Sequence, residues 1–221
     1  MSEHDDEPVR GLPGHLPEGE HILWQGAPDW RVLADSALHV RWVGGYFIVL
    51  AAWALVSGLT GGESLGSVAT GVGLTLAVGA VAVGMLSGYA WLAARSTVYT
   101  LTNKRFVLRH GVALSKCFNI PYRAIATARV KLSPDGHGDI PLALADGAKI
   151  AYPHLWPHVR PWRFVSPEPM MRALPDAAAV AERLSHQLQM ASERPFVTEP
   201  VQAAPARSRR PRAADGQPAT A

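Results

Sequence analysis

Apolar positions run almost unbroken from Trp42 to Ala94, and the only charged side chain in that interval is Glu63. The carboxylate separates two stretches, Trp42 to Gly62 and Ser64 to Ala94. Each is long enough for a helix to cross the hydrocarbon layer, which takes about 20 mostly apolar residues. The pattern predicts a membrane hairpin over 42–94, with spans at about 43–59 and 68–92. The turn Thr60-Gly-Gly-Glu-Ser-Leu-Gly66 between them reads as a loop in water. The second stretch fits one tilted helix, or a helix with a Gly-rich start, and is too short for two crossings. A secretory signal does not fit, because the residues before Trp42 are mostly polar and no short apolar core with a cleavage site follows. A buried soluble hairpin is the competing reading; soluble helices rarely run this far without a charge.

The period changes after Ala94. Thr97-Val-Tyr-Thr-Leu-Thr102 is β-branched and aromatic and reads as a strand. Asn103-Lys104 is a polar turn, and Arg105-Phe-Val-Leu-Arg-His110 alternates as a half-exposed second strand that Gly111 ends. Further strands fit Ser115–Ile120, Ile125–Lys131, Ile140–Ala145 and Ala148–Ala151, separated by Pro121, by Pro134-Asp-Gly136 and by a hairpin turn at Asp146-Gly147. Ala177, Val180, Ala181, Leu184, Leu188 and Ala191 recur at helical spacing behind Leu174-Pro175-Asp176, predicting a helix over 176–191. The expected fold is therefore a membrane α-helical hairpin plus an α+β soluble domain over 95–192. Within it, a small antiparallel β-barrel or sandwich is capped by a C-terminal helix.

The ends of the chain differ from its middle. Residues 1–17 are polar and acidic at Glu3, Asp5, Asp6 and Glu7 and are expected to be disordered. Residues 193–221 form a Pro/Ala/Arg-rich tail, also expected to be disordered, with the cluster Arg207-Ser-Arg-Arg-Pro-Arg212. That cluster either solvates the tail or touches anionic lipid. Residues 18–41 are left as a cytoplasmic segment packing on the soluble domain. Orientation follows from the flanks: Arg31 and Arg41 precede the first span, Arg95, Lys104 and Arg105 follow the second, and the turn has no Lys or Arg. Both termini are thus expected in the cytoplasm. Arg41, Trp42, Trp91 and Arg95 are the expected membrane-interface anchors.

Charge and composition narrow the chemistry. The net charge of +3 is small and scattered outside the tail, so nucleic-acid binding has little support. Cys117 is the single cysteine and suits a reducing compartment. Neither span holds His, Asp, Lys or Arg, which leaves no proton relay, ion pathway or axial ligand for a haem or chlorophyll metal. Small residues recur every four positions in the second span, at Ala69, Gly73 and Ala77 and again at Ala80, Gly84 and Gly88. Such rows let helices approach closely in lipid. They pack either on the first span or on another membrane protein or a second copy, and Ala80, Gly84 and Gly88 are the candidate packing face.

Two segments resemble the bacterial pleckstrin-homology-like domain: Thr97-Val-Tyr-Thr-Leu-Thr-Asn-Lys-Arg-Phe-Val-Leu-Arg-His-Gly111, and Ile120-Pro-Tyr-Arg-Ala-Ile125 with Gly138-Asp-Ile140. In that family a Tyr-x-Leu-Thr-Asn-x-Arg strand and turn directly follow a membrane hairpin. Gly19-Glu-His-Ile-Leu-Trp-Gln-Gly-Ala-Pro28 is similar to the segment that often precedes it. A resemblance covering Leu16 to about Ala191 is to the PuhB family of photosynthetic complex assembly proteins of purple phototrophic bacteria. It rests on Leu16 to Trp30, Ala37-Leu-His-Val-Arg-Trp42, Gly138 to Leu142, Pro167-Glu-Pro-Met170 and Val180 onward. Its most distinctive part is Tyr152-Pro-His-Leu-Trp-Pro-His-Val-Arg-Pro-Trp162. This resemblance implies a multi-pass protein of the inner, photosynthetic membrane. It would be an assembly factor for the reaction centre, with the core antenna as a second candidate client, rather than a pigment-carrying subunit.

Site chemistry is sparse. His154 and His158 are four apart, but Pro153 and Pro157 argue against a regular helix presenting a metal pair, so they read as structural or surface histidines. His137-Gly-Asp139 reads as a turn entering a strand. No catalytic constellation, metal site or cofactor site has a recognisable context, so the chain is expected not to be an enzyme and to need no cofactor. Trp156, Arg160, Trp162 and Arg163 form an aromatic-basic segment that covers a sheet edge, lies at the membrane surface or receives a partner. Lys104 and Arg105 are further candidate partner or lipid contacts. Expected partners are reaction-centre or core-antenna subunits, other assembly factors, membrane lipids and another copy of the chain. The alternative is a generic membrane protein of the same domain class that binds lipid or a signalling partner.

Overall fold

The computed structural model describes residues 11–12, 14–145 and 150–193. The expected Asp146-Gly147 turn, the first ten residues and the basic tail lie outside these. Two long apolar helices dominate one end: α2, Val40–Thr60, and α3, Leu65–Ser96. Both are long and apolar enough to cross a membrane. Their lipid-sized surfaces are exposed, with Ile48, Val49, Leu74 and Met85 all more than 60% accessible. A soluble core helix would bury such side chains. α3, at 32 residues, is about 48 Å long, more than the roughly 30 Å of a hydrocarbon layer, and its C-terminal turns feed the soluble domain.

The hairpin is held by close backbone approach. Gly79 and Gly58 are buried, and a Cβ on Gly79 would stand 2.7 Å from the Phe47 ring. A Cβ on Gly58 would stand 2.6 Å from Val68 Cγ2. The inward positions Val68, Val72, Thr75, Gly79, Ala82 and Leu86 alternate steps of four and three, the spacing of a left-handed helix pair. Ser64 caps α3 by accepting from Ser67 N.

The soluble part is built from two antiparallel sheets. The first has the order β1 (Ile22–Gly26), β2 (Val98–Thr102), β3 (Arg105–His110), β4 (Lys116–Pro121). The second places β5 (Ile125–Ala128) and β6 (Lys131–Leu132) on β7 (Gly138–Leu144), with β8 (Met170–Leu174) also on β7. Between them lies a core of Tyr99, Leu101, Phe106, Leu108, Ile140, Leu142 and Met171, closed by Ala177, Val180 and Leu184 of α5 (Ala177–Glu193). The antiparallel sheets capped by a C-terminal helix are the architecture that the strand and helix pattern predicts.

Several local expectations are corrected. Residues 18–41 do pack on the soluble domain, but as the edge strand β1, paired with β2, and a helix, α1 (Trp30–Leu38), which Asp29 caps by accepting from the Arg31 and Val32 amides. Gly11 and Leu12, expected in a disordered end, are buried, because the apolar Leu12 finds a slot and Gly11 at φ 85° sits against Val98. β3 is not half exposed: Arg109 and His110 are buried because it lies between two strands with both faces covered. Residues 150–151 form no strand but lead into the one-turn helix α4 (Tyr152–Leu155).

Candidate juxtamembrane interaction site

The residues that join hairpin to sheets are polar and buried. Where α3 ends, Thr97 Oγ1 donates to Ala93 O at 2.7 Å. That leaves its lone pairs for His158 Nε2, 2.9 Å away, so His158 carries its proton on Nε2. His158 Nδ1 then accepts from the Tyr99 hydroxyl at 2.8 Å, and Tyr99 oxygen in turn accepts from Arg172 N at 3.0 Å. The chain of bonds runs from the last turn of α3 through α4's exit loop to β8. Burial lowers the His158 pKa far below its ordinary value, with His110 and Arg172 adding repulsion. His110 lies 5.3 Å from the His158 ring, and burial lowers it to about 4. His154 is exposed. The two histidines of the four-residue spacing thus have different surroundings, and only His158 is structural.

α1 wedges between α3 and β8. Leu33 packs with Ala93, Ala94 and Ala173, and Asp29 N donates to Ala173 O at 2.8 Å. Arg172, only 6% exposed, donates through Nη2 to Ser36 O and through Nη1 to Pro157 O, while its buried Nε has no partner. Asp139 Oδ1 accepts from Ala173 N at 2.9 Å, which gives the Asp of His137-Gly-Asp139 a structural role.

Outside this joint lies a groove of about 770 Å³ between the end of α1, the β5–β6 connection and the segment 152–164. Arg129, Lys131, Arg160 and Arg172 line it, with Asp139 as the one carboxylate. Its aromatic wall is Tyr152, Trp156, Trp162 and Phe164. Trp156 stacks on Tyr89 of α3, ring centroids 5.7 Å apart, which fixes the groove beside the hairpin. Arg160 and Arg163 straddle Glu168 at 2.8 and 3.7 Å. The aromatic-basic segment therefore turns back on itself, with Arg160 N bonded to Glu168 O, and projects Trp162 into solvent at 85% exposure.

The other candidate residues fall elsewhere. Arg95 lies over Trp91, 4.9 Å from the ring centroid, and Arg41 reaches Asp35 at 3.9 Å beside the exposed Trp42. Lys104 and Arg105 lie at the far end of β2. β2 carries the chain roughly 17 Å away from the end of α3 before the turn that holds them. There Lys104 donates to Glu18 O, and Arg105 Nε donates to the buried Glu20 carboxylate at 2.8 Å. Asn103 adds bonds to His21 N and Gly19 O. The Thr-Asn-Lys-Arg turn clamps the strand that precedes the hairpin. Gly84 and Gly88 would meet nothing within 4 Å of an added Cβ, and Ala80 is exposed, so this row does not pack on the first span. Among the described residues no group of three His, Cys, Asp or Glu side chains could hold a metal ion.

Comparison with known proteins gives a family match, one relative and two solved structures. A 23.7 kDa protein in the puhA 5′ region of Rhodobacter capsulatus is 40% identical over 202 residues, covering 89% of this chain and 94% of the relative. Two crystal structures of pleckstrin-homology domains, from Shewanella loihica and Shewanella amazonensis, align over 42% of this chain and 71% and 66% of theirs. Their identities are 16% and 17% and their TM-scores 0.28 and 0.29. The bacterial PH domain profile matches residues 41–188, which includes the hairpin as well as most of the two sheets. With about two-thirds of its length inside that match, this chain belongs to the bacterial PH domain family.

Proposed function

We propose that this chain is a membrane-anchored assembly factor for the photosynthetic reaction centre, with the core antenna as a second client, and a member of the PuhB family. The observation that carries the reading is the relative in the puhA 5′ region, matched over nearly its whole length. The resemblance at Tyr152 to Trp162 adds to it, since those residues form the joint and the groove rather than an incidental loop. The hairpin lies in the inner, photosynthetic membrane with both termini cytoplasmic, as the Arg flanks and the Lys/Arg-free turn favour. The protein works by contact and not by catalysis. Its outward row Ala80, Gly84 and Gly88 offers a client helix a surface that admits close backbone approach.

Affinity-tagged full-length protein, purified from membranes of the source organism during pigment induction, is expected to bring down reaction-centre subunits. The double substitution Gly84→Leu and Gly88→Leu should reduce that recovery severalfold while leaving the protein in the membrane. Unchanged recovery would remove the packing face from the account, and no recovery with the unaltered chain would count against the client itself.

A further inference from the structure

The lining of the groove has three features that the buried joint does not require. The first is an aromatic wall. Tyr152, Phe164 and Trp162 touch ring to ring, with successive centroids 4.7 and 6.3 Å apart. Trp162 and Phe164 are 85% and 61% exposed, and Trp156 gives one face to Tyr89 while 42% of it stays open. Rings left bare in a groove of about 770 Å³ are matched by an aromatic ligand, which takes both stacked and edge-on contacts.

The second feature is charge. Arg129 and Lys131 are exposed and line the groove from a segment fixed on β7, where Arg129 N donates to Pro141 O and Lys131 pairs with Asp139. Arg160 is engaged by Glu168, whereas no described carboxylate pairs with Arg129 or Lys131. Two open cations against one aromatic wall favour a ligand that is mostly ring and carries about two negative charges.

The third feature is backbone strain. His39, between α1 and α2, and Trp162 hold φ at 55° and 64°, a region in which a Cβ is unfavourable. Both line the groove. Strain of this kind gathers where a side chain is needed for a ligand. An imidazole beside an aromatic wall adds a donor for a metal held in a ring.

We propose that the groove binds a planar tetrapyrrole carboxylate. The macrocycle lies against Trp156, Phe164 and Trp162, its carboxylates meet Arg129 and Lys131, and His39 is the axial donor when the ring carries a metal. A nucleotide base covers a single ring of that wall, and neither a nucleotide nor a phospholipid uses the imidazole. The inference rests on the groove alone and on no assembly role.

The test titrates full-length protein in dodecylmaltoside with zinc protoporphyrin IX, read by absorption against empty micelles. Saturable binding of one porphyrin per chain is expected, with a red-shifted Soret band that His39→Gly abolishes. Arg129→Gln combined with Lys131→Gln should weaken binding about tenfold, and Lys116→Gln, outside the groove, should not change it. Trp162→Gly should weaken binding severalfold while Tm holds or rises, because glycine suits φ 64°. Equal affinity for the dimethyl ester, full binding in the double variant, or no saturation beyond empty micelles would each overturn the proposal. Full displacement by dihexanoylphosphatidylglycerol would overturn it in favour of an anionic lipid, and a Soret shift that survives His39→Gly would overturn the axial assignment.

Discussion

Gly79→Leu is expected to force the two membrane helices apart. An added Cβ alone would stand 2.7 Å from Phe47, whose ring is held between the helices, and a leucine adds three more carbons to the same gap. Overpacking of this kind costs about 1–3 kcal/mol even where a core can shift. Here the contact is helix against helix in a medium where close packing, not water exclusion, holds helices together. The cost should therefore reach or exceed about 3 kcal/mol, the upper end of that range. Gly84→Leu on the same helix meets nothing within 4 Å and should leave the hairpin intact. A cysteine pair at Gly44 and Val83 reports the difference, since a Cβ on Gly44 lies 3.7 Å from Val83 Cγ2. In a Cys117→Ser background, cross-linking should fall severalfold with Gly79→Leu and stay unchanged with Gly84→Leu. Equal yields in both variants would mean that the helices are not held at Gly79.

His158→Leu should be the most damaging single change in the soluble domain. It removes the bonds to Thr97 and Tyr99 from a fully buried site and leaves the phenolic hydroxyl, which still accepts from Arg172 N, with only a long contact, 3.4 Å, to Arg172 O for its own proton. Two lost bonds and a stranded buried donor amount to about 3 kcal/mol. For a domain near 100 residues that lowers Tm by about 10 °C or more. His154→Leu, at an exposed position four residues earlier, should change Tm little. The acid side carries a second signature. Burial lowers both His158 and His110 in the folded protein, His110 to about 4, so the unfolded chain takes up protons first. Stability is then flat above about pH 6.5 and declines as pH falls from there toward 4. Thermal unfolding of the detergent-solubilised protein should show that decline in the wild type, with a shallower slope for His158→Leu. An identical slope would show that His158 does not stay neutral.

The hairpin, the strands β2 to β4 and the closing helix were legible because each has a period that a single segment carries by itself. A span needs only its own apolar run, and β2 and β3 announce themselves by β-branching and alternation. What the local pattern hides is set by partners distant in sequence. β1 is a short edge strand whose pairing with β2 spans the whole hairpin, and β8 has no alternation because all five of its residues are buried. The site divides in the same way. Trp156, Arg160 and Trp162 stand out by composition and do line the groove, but Arg129, Lys131 and Arg172 reach it from three other elements. His158 resembles half of a metal pair because four-residue spacing is a helical signal, whereas its partners are Thr97 and Tyr99. The bonds of Lys104 and Arg105 to residues 18 and 20 were hidden for the same reason, since those partners lie on the far side of the hairpin in sequence.

A clean deletion in the source organism, read through the near-infrared absorption of membranes grown under pigment-inducing conditions, decides whether the proposed role in reaction-centre assembly holds. The account predicts selective loss of the reaction-centre bands, with pigment synthesis intact and the bands restored by the full-length gene. An unchanged spectrum with normal phototrophic growth would contradict it.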